Sequence, residues 1–182
     1  RVTVSDMMDA REARAQAQRA LLAQYPGASV VCLCMNIAGA IKRTENIERA
    51  FAWGLRNVKA VLAPCETLFD AVIHEKTGPE AMLCVRADAR AIKRRLCTLE
   101  DGEALGRLLD IDVIAPDGGK ISRTEIGLPA RRCLLCGNPA PVCARSRAHS
   151  ADALFEKANA IIDAHFETAF AKRTAENAQR AL

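Results

Sequence analysis

The sequence predicts an α/β (α+β) domain in which helices cover a mixed sheet, and three observations carry that reading. Capped, helix-forming stretches alternate with short runs rich in β-branched residues, the pattern of helices packed on strands. Half of the 182 residues are apolar and only 4% are aromatic, so the core must be aliphatic, and it is large enough for one domain. No repeat or linker-like stretch interrupts the chain. Residues 1–182 therefore read as a single domain, with a Cys/Arg-rich segment at 131–149 and a C-terminal helix at 150–182.

Each element has a local reason. "VSDMMDAREARAQAQRALLAQYP" predicts a helix with Ser5 as its expected N-cap, and Pro26-Gly27 stops it. "SVVCLCMNI" predicts a buried strand. "TENIERAFAWGLRNVKAVL" predicts a helix capped by Thr44 that stops before Pro64. "TLFDAVIHEKTGPEAMLCVRA" reads as two strands joined at "KTGPE", and "DARAIKRRLCTLEDG" as a helix capped by Asp88. "LLDIDVIAPDGGKISRTEI" predicts a hairpin, strand, Pro-Asp-Gly-Gly turn and second strand. The Cys-rich segment is poor in regular signals, and the long helix after it starts from Ser150 as cap.

The net charge of +4 is mild, and one Trp, one Tyr and five Phe supply no stacking platform. These features exclude a nucleic-acid-coating protein. The basic character is local instead, in "IKRR" at 92–95 and in the arginines from 131 to 147, a region that would attract an anion. There is no signal-peptide pattern and no apolar run of membrane-spanning length. The expectation is a cytoplasmic protein with reduced thiols and no membrane partner, in which Cys32, Cys34, Cys84 and Cys97 serve as small hydrophobes.

Two motifs carry chemistry. In "GRLLDIDV", Asp110 and Asp112 lie two apart on a strand, so their carboxylates share a face while Leu109, Ile111 and Val113 face the core. Two like charges that close repel, and a divalent cation relieves the conflict; carboxylate oxygens suit Mg²⁺. Proteins that transfer nucleotidyl groups hold Mg²⁺ on a triphosphate in this way. The plainer alternative is a pair of solvated acids at a strand end. Gly106 permits close backbone approach, and Arg107 places a guanidinium beside the acids.

The second motif is Cys133-x2-Cys136-x6-Cys143-x5-His149, four soft ligands that suit a structural zinc ion or, equally, reduced thiols packing a loop. Arg131, Arg132, Arg145 and Arg147 in the same segment suit bidentate phosphate contacts, and no acid lies near them in sequence.

"LGRLLDIDVIAPDG", "ISR" and "LPARRCLLCGNPAPVCARSRAH" together resemble the apo-citrate lyase phosphoribosyl-dephospho-CoA transferase family, also termed holo-citrate lyase synthases. "REARAQAQ", "IK" at 41–42 and "GPEAML" at 78–83 extend the resemblance over most of the chain to residue 150. It implies a nucleotidyltransferase-like fold and a transferase. That enzyme takes 2′-(5″-triphosphoribosyl)-3′-dephospho-CoA and attaches the phosphoribosyl-dephospho-CoA prosthetic group to a serine of the citrate lyase acyl carrier (gamma) subunit, with loss of pyrophosphate. Under this resemblance Asp110 and Asp112 bind Mg²⁺, and one of them helps deprotonate the serine. Arg107, Arg131 and Arg132 stabilise charge on the phosphoryl group, while Arg14, Lys42 and Lys93 rank second for the phosphates or the dephospho-CoA. His149 is a zinc ligand, a phosphate contact or a proton acceptor, and His74 and His165 are structural. The rivals are the equivalent transferase for the malonate decarboxylase carrier and a non-enzymatic zinc-binding interaction module.

Overall fold

The computed structural model describes residues 1–180. The chain runs α1 (Val4–Gln24), β1 (Ser29–Met35), α2 (Glu45–Leu62), β2 (Glu66–Glu75), β3 (Gly78–Arg86), α3 (Ala89–Gly102), β4 (Leu109–Ile114), α4 (Ala140–Ser146) and α5 (Ala151–Arg180). Single 3-10 turns lie at Leu105–Leu108 and Thr124–Ile126. Residues 181 and 182 of the expected 150–182 helix lie outside the described residues. No described helix is long and apolar enough to cross a membrane.

The strands form one sheet in the order β2-β3-β1-β4. The α+β class is observed, and every pairing is antiparallel, which narrows the expected mixed sheet to an antiparallel one. β1 lies inside because its run "SVVCLCM" can be covered on both faces and paired on both edges.

Alternation along the strands sorts the side chains into two faces. Val31, Leu33, Leu83, Val85, Leu109, Ile111 and Val113 join Phe51 and Val58 of α2 and Ile92 and Leu96 of α3 in the main aliphatic core. The other face holds Cys32, Cys84 and Ile114 in a smaller cluster with Leu21 of α1. α1 has no apolar stripe and buries only Leu21, which suits a helix lying over polar strand residues. α5 closes a third cluster, placing Ala158 and Ile162 against Ile47, Leu105 and Leu108.

Local chemistry explains most element boundaries. Thr44 and Asp88 cap α2 and α3 as expected, and the Ser150 hydroxyl accepts from the Ala153 amide at 3.1 Å at the start of α5. α1 starts earlier than expected: its N-cap is Thr3, which forms a reciprocal capping box with Asp6, and Ser5 lies inside the helix.

The hairpin after β4 is cut short. The Asp117 carboxylate accepts from the Gly119 amide, and Gly118 takes a left-handed conformation at φ 85°, so the turn forms as expected. Pairing, however, ends after the Ile114–Lys120 bridge and the Ile121 amide bonded to the Val113 carbonyl. The reason lies in Arg123, whose guanidinium crosses to Glu100 and Asp101 of α3 and draws the chain off the sheet.

The outer edge of β4 is closed by side chains instead of a strand. Arg131 donates to the Leu109 carbonyl at 2.7 Å, Lys93 donates to the Ile111 carbonyl, and Glu100 accepts from the Ile111 amide at 3.2 Å. Charged groups on an edge also block unwanted pairing.

Candidate functional site

The acid pair behaves as strand geometry demands. Asp110 and Asp112 project to the α1 side of β4, opposite Cys34 and Cys32 of β1 in register, while Ile111 and Val113 point into the aliphatic core. Across the same face, Arg14 of α1 forms a two-pronged ion pair with Glu80 of β3, including Nε to Oε2 at 2.8 Å. Gln18, one turn on, donates to the Cys32 sulfur at 3.0 Å. Thus the stretches "REARAQAQ", "GPEAML" and "GRLLDIDV" meet on one surface.

The electrostatics of this face keep charge off the thiols. Burial pushes the Cys34 thiol well above its ordinary value; Arg14 opposes the shift, and Glu80 and Asp110 add to it. Burial likewise lifts Cys32 to about 11. Both thiols therefore stay protonated at neutral pH and offer no competing thiolate. Asp112 pairs with exposed Lys120 at 2.7 Å, and Asp110 is exposed with no hydrogen bond or ion pair among the described residues. The two carboxylates offer hard oxygens on one open face, a donor type that suits Mg²⁺.

Around the N-terminal end of β4 lies a cavity of about 1100 Å³. Arg107, Arg123, Arg131, Arg132 and Arg147 line it, and among the described residues Asp101 is the single carboxylate on its wall. The turn before β4 places Arg107. A Cβ on Gly106 would sit 2.2 Å from the Leu99 carbonyl oxygen, so only glycine lets this turn rest on the end of α3. Arg107 donates to the Arg132 and Cys133 carbonyls at 3.2 and 3.1 Å, and Arg131 returns the contact to the Arg107 carbonyl at 3.1 Å. Each guanidinium has five N–H donors, so these contacts fix the arginines and leave donors for a ligand.

The Cys-rich segment folds on itself. The Cys133 amide meets the Asn138 carbonyl and the Ala140 amide meets the Arg131 carbonyl, both at 2.7 Å, closing a tight loop around Cys136 and Gly137. α4 then carries Cys143, and the chain turns back through Arg147 at φ 50° to present His149. The ligand atoms of Cys133, Cys136, Cys143 and His149 lie within 4.8 Å of one another, a cluster that can hold a metal such as zinc. All eight cysteines are free thiols.

The remaining expected residues separate clearly. Lys93 is only 5% exposed and serves the β4 edge, away from the cavity. Lys42 donates to the Ile37 carbonyl in the loop beside the start of β3, and burial, aided by Arg11, pulls it below the ordinary lysine value. Arg145 is exposed on the last turn of α4, whereas Arg147 reaches the cavity wall. His74 pairs with Glu48 and packs edge-on to Phe51, and His165 packs on Trp53 and Phe166, so both are structural.

Four residues of the site escape sequence reading. Glu80 anchors Arg14, and Lys120 neutralises Asp112. Glu100 lies between Arg123 and Arg131 at 3.0 and 3.9 Å although it is 2% exposed. Glu80 and Arg123 stand inside "GPEAML" and "ISR", stretches marked by resemblance alone, and Lys120 left a signal of its own, since a lysine after a Gly-Gly turn returns to the end of the strand that precedes it.

Comparison with known proteins adds an independent finding. A family model described as "Apo-citrate lyase phosphoribosyl-dephospho-CoA transferase" matches residues 2–165. A protein of Streptococcus pyogenes serotype M18, "Probable apo-citrate lyase phosphoribosyl-dephospho-CoA transferase", is 33% identical over 168 residues, covering 91% of this chain and 88% of its own length. An Escherichia coli O7:K1 protein of the same name without "probable" is 35% identical over 164 residues, 89% of each chain. "Protein CitXG" of Haemophilus influenzae is 32% identical over 167 residues, covering 91% of this chain and 36% of that longer protein.

Proposed function

The chain belongs to the apo-citrate lyase phosphoribosyl-dephospho-CoA transferase family, and from that premise we propose how its residues move a phosphoribosyl-dephospho-CoA group onto apo-citrate lyase. The observation that carries the reading is the pairing of two carboxylates on one open strand face with an arginine-lined cavity at the end of the same strand.

The donor in this reading is 2′-(5″-triphosphoribosyl)-3′-dephospho-CoA, and the acceptor is a serine of the acyl carrier (gamma) subunit. The serine Oγ forms a bond to the α-phosphorus of the donor, the bond from that phosphorus to the bridging oxygen breaks, and pyrophosphate leaves with the electron pair. The serine proton passes to a carboxylate at the acid pair; Asp110, which has no ion-pair partner among the described residues, is the better acceptor. Asp110 and Asp112 would hold Mg²⁺, which when bound neutralises pyrophosphate and aligns the hydroxyl.

The protein's own share is positioning and charge. Arg107, held on the Arg132 and Cys133 carbonyls, and Arg131, held on the Arg107 carbonyl, present fixed donors to the phosphates. Arg132 and Arg147 extend the positive wall. Arg14 holds Glu80 and helps shape the face that receives the donor. The Cys₃His cluster takes no chemical step.

The test is mass spectrometry of apo-carrier protein after incubation with enzyme, Mg²⁺ and donor. Wild type should add the mass of the prosthetic group to the citrate lyase carrier, while Asp110→Asn and Asp112→Asn should fold normally and add none. Full transfer by both variants would remove the acid pair from the mechanism. Efficient modification of a malonate decarboxylase carrier in place of the citrate lyase carrier would reassign the acceptor.

A further inference from the structure

The cluster in the 131–149 segment has a structure the transfer chemistry does not require. Its four ligand atoms converge from three separate pieces of chain: the loop holding Cys133 and Cys136, the helix holding Cys143, and the residue that follows the left-handed turn at Arg147. Cys136 Sγ lies 3.5 Å from Cys143 Sγ, and His149 Nε2 lies 3.2 Å from Cys136 Sγ. Tetrahedral zinc, with Zn–S of ~2.3 Å and Zn–N of ~2.0 Å, sets its ligand atoms roughly 3.5–3.8 Å apart. Both observed separations lie at or slightly below that spacing.

We propose that Cys133, Cys136, Cys143 and His149 bind one zinc ion in a closed, structural site that holds the arginine wall of the cavity in place. Three further features point to a metal rather than to packed thiols. The Leu135 amide approaches the Cys133 sulfur at 3.5 Å, so an N–H faces the sulfur as an anionic ligand needs. Two sulfurs, on Cys133 and Cys143, are buried, yet this segment has almost no apolar core to reward their burial. Arg147 adopts φ 50°, a conformation costly for a residue with a side chain, and that turn brings His149 back to the sulfurs.

Charge removes the objection that arginines repel a cation. Three thiolates and one zinc ion carry a net charge of −1, so the loaded site is an anion set among Arg132, Arg145 and Arg147. All four positions of a tetrahedral shell are filled by protein, which leaves none for water or substrate and makes the ion a fastener rather than a Lewis acid. Its effect reaches the cavity through Cys133, because the Cys133 carbonyl is one of the two on which Arg107 rests.

The experiment is metal analysis of the full-length chain purified under reducing conditions, followed by replacement of the ion with Co²⁺. One zinc per chain and the visible bands of tetrahedral, thiolate-bound cobalt are expected. Cys136→Ala and His149→Ala alter the two ligands that are not buried, so the variants should still fold, yet lose the bound zinc and those bands. Full occupancy with His149→Ala would overturn the closed site, and a wild-type chain that takes up neither zinc nor cobalt would overturn the proposal as a whole. Both readouts are made without donor or carrier, so failure here leaves the transfer reading standing, and failure of the transfer reading leaves this one standing.

Discussion

The two faces of the sheet use alternate residues of the same strands for opposite purposes. On the α2/α3 side, Val31, Leu33, Leu83, Ile111 and Val113 are buried among aliphatic neighbours. On the α1 side, Cys34, Glu80, Asp110 and Asp112 are charged or polar and partly open to solvent, beside the smaller buried cluster of Cys32, Cys84 and Ile114. The first face supplies burial at roughly 25 cal/mol per Å². The second holds two carboxylates on one open face, Asp112 paired with Lys120 and Asp110 with no ion-pair partner among the described residues. One strand can therefore serve the core and a candidate site at once, because a period of two keeps the two sets of side chains apart.

This contrast can be broken from either side. The largest expected effect is on the aliphatic face: Leu33→Ala should lower unfolding free energy by about 2–5 kcal/mol in chemical denaturation. Next comes the acid face, where Asp110→Asn or Asp112→Asn should cut transfer at least ~100-fold, the scale of losing one preplaced electrostatic stabiliser. The melting temperature of Asp110→Asn should hold or rise slightly, since the repulsion is relieved, and that of Asp112→Asn should change little, since it also loses the exposed Lys120 pair. If the two aspartate variants melted far below wild type, the division of labour between the faces would be wrong.

Smaller effects sharpen the comparison at its seam. Gly106→Ala forces a Cβ against the Leu99 carbonyl and should cost about 1–3 kcal/mol, with a raised KM for the donor because Arg107 moves. The smallest effect lies at the start of α1. Asp6 is held down to about 2, first by the hydrogen bond from Lys76 and then by those from Thr3. Its folded value is depressed, so its contribution is complete above the ordinary carboxylate range and is lost as pH falls through about 2. A slight loss of melting temperature across that acid window should vanish in Asp6→Asn.

The regular elements were legible in the sequence because local rules decide them. Thr44, Asp88 and Ser150 cap helices where a short polar residue precedes an apolar period, and Asp110 and Asp112 share a face by strand geometry alone. What was hidden depends on partners distant in sequence. The hairpin arm after Ile114 ends because Arg123 finds Glu100, and Lys93 leaves the candidate anion site because it finds the Ile111 carbonyl. Ser5 lost the cap to Thr3 because Asp6, three residues after Thr3, completes the reciprocal pair. The spacing of the cysteines suggested a knot, but only the fold brings His149 to Cys136.

The sealed flank of β4 limits how any extended segment can approach the strand. With Lys93, Glu100 and Arg131 seated on its outward amide and carbonyls, a visiting segment cannot extend the sheet by joining there. Under the proposed transfer, the acceptor serine would reach the carboxylates from over the sheet surface or past the tip of the strand. That route would suit a protruding, flexible loop rather than an extended strand.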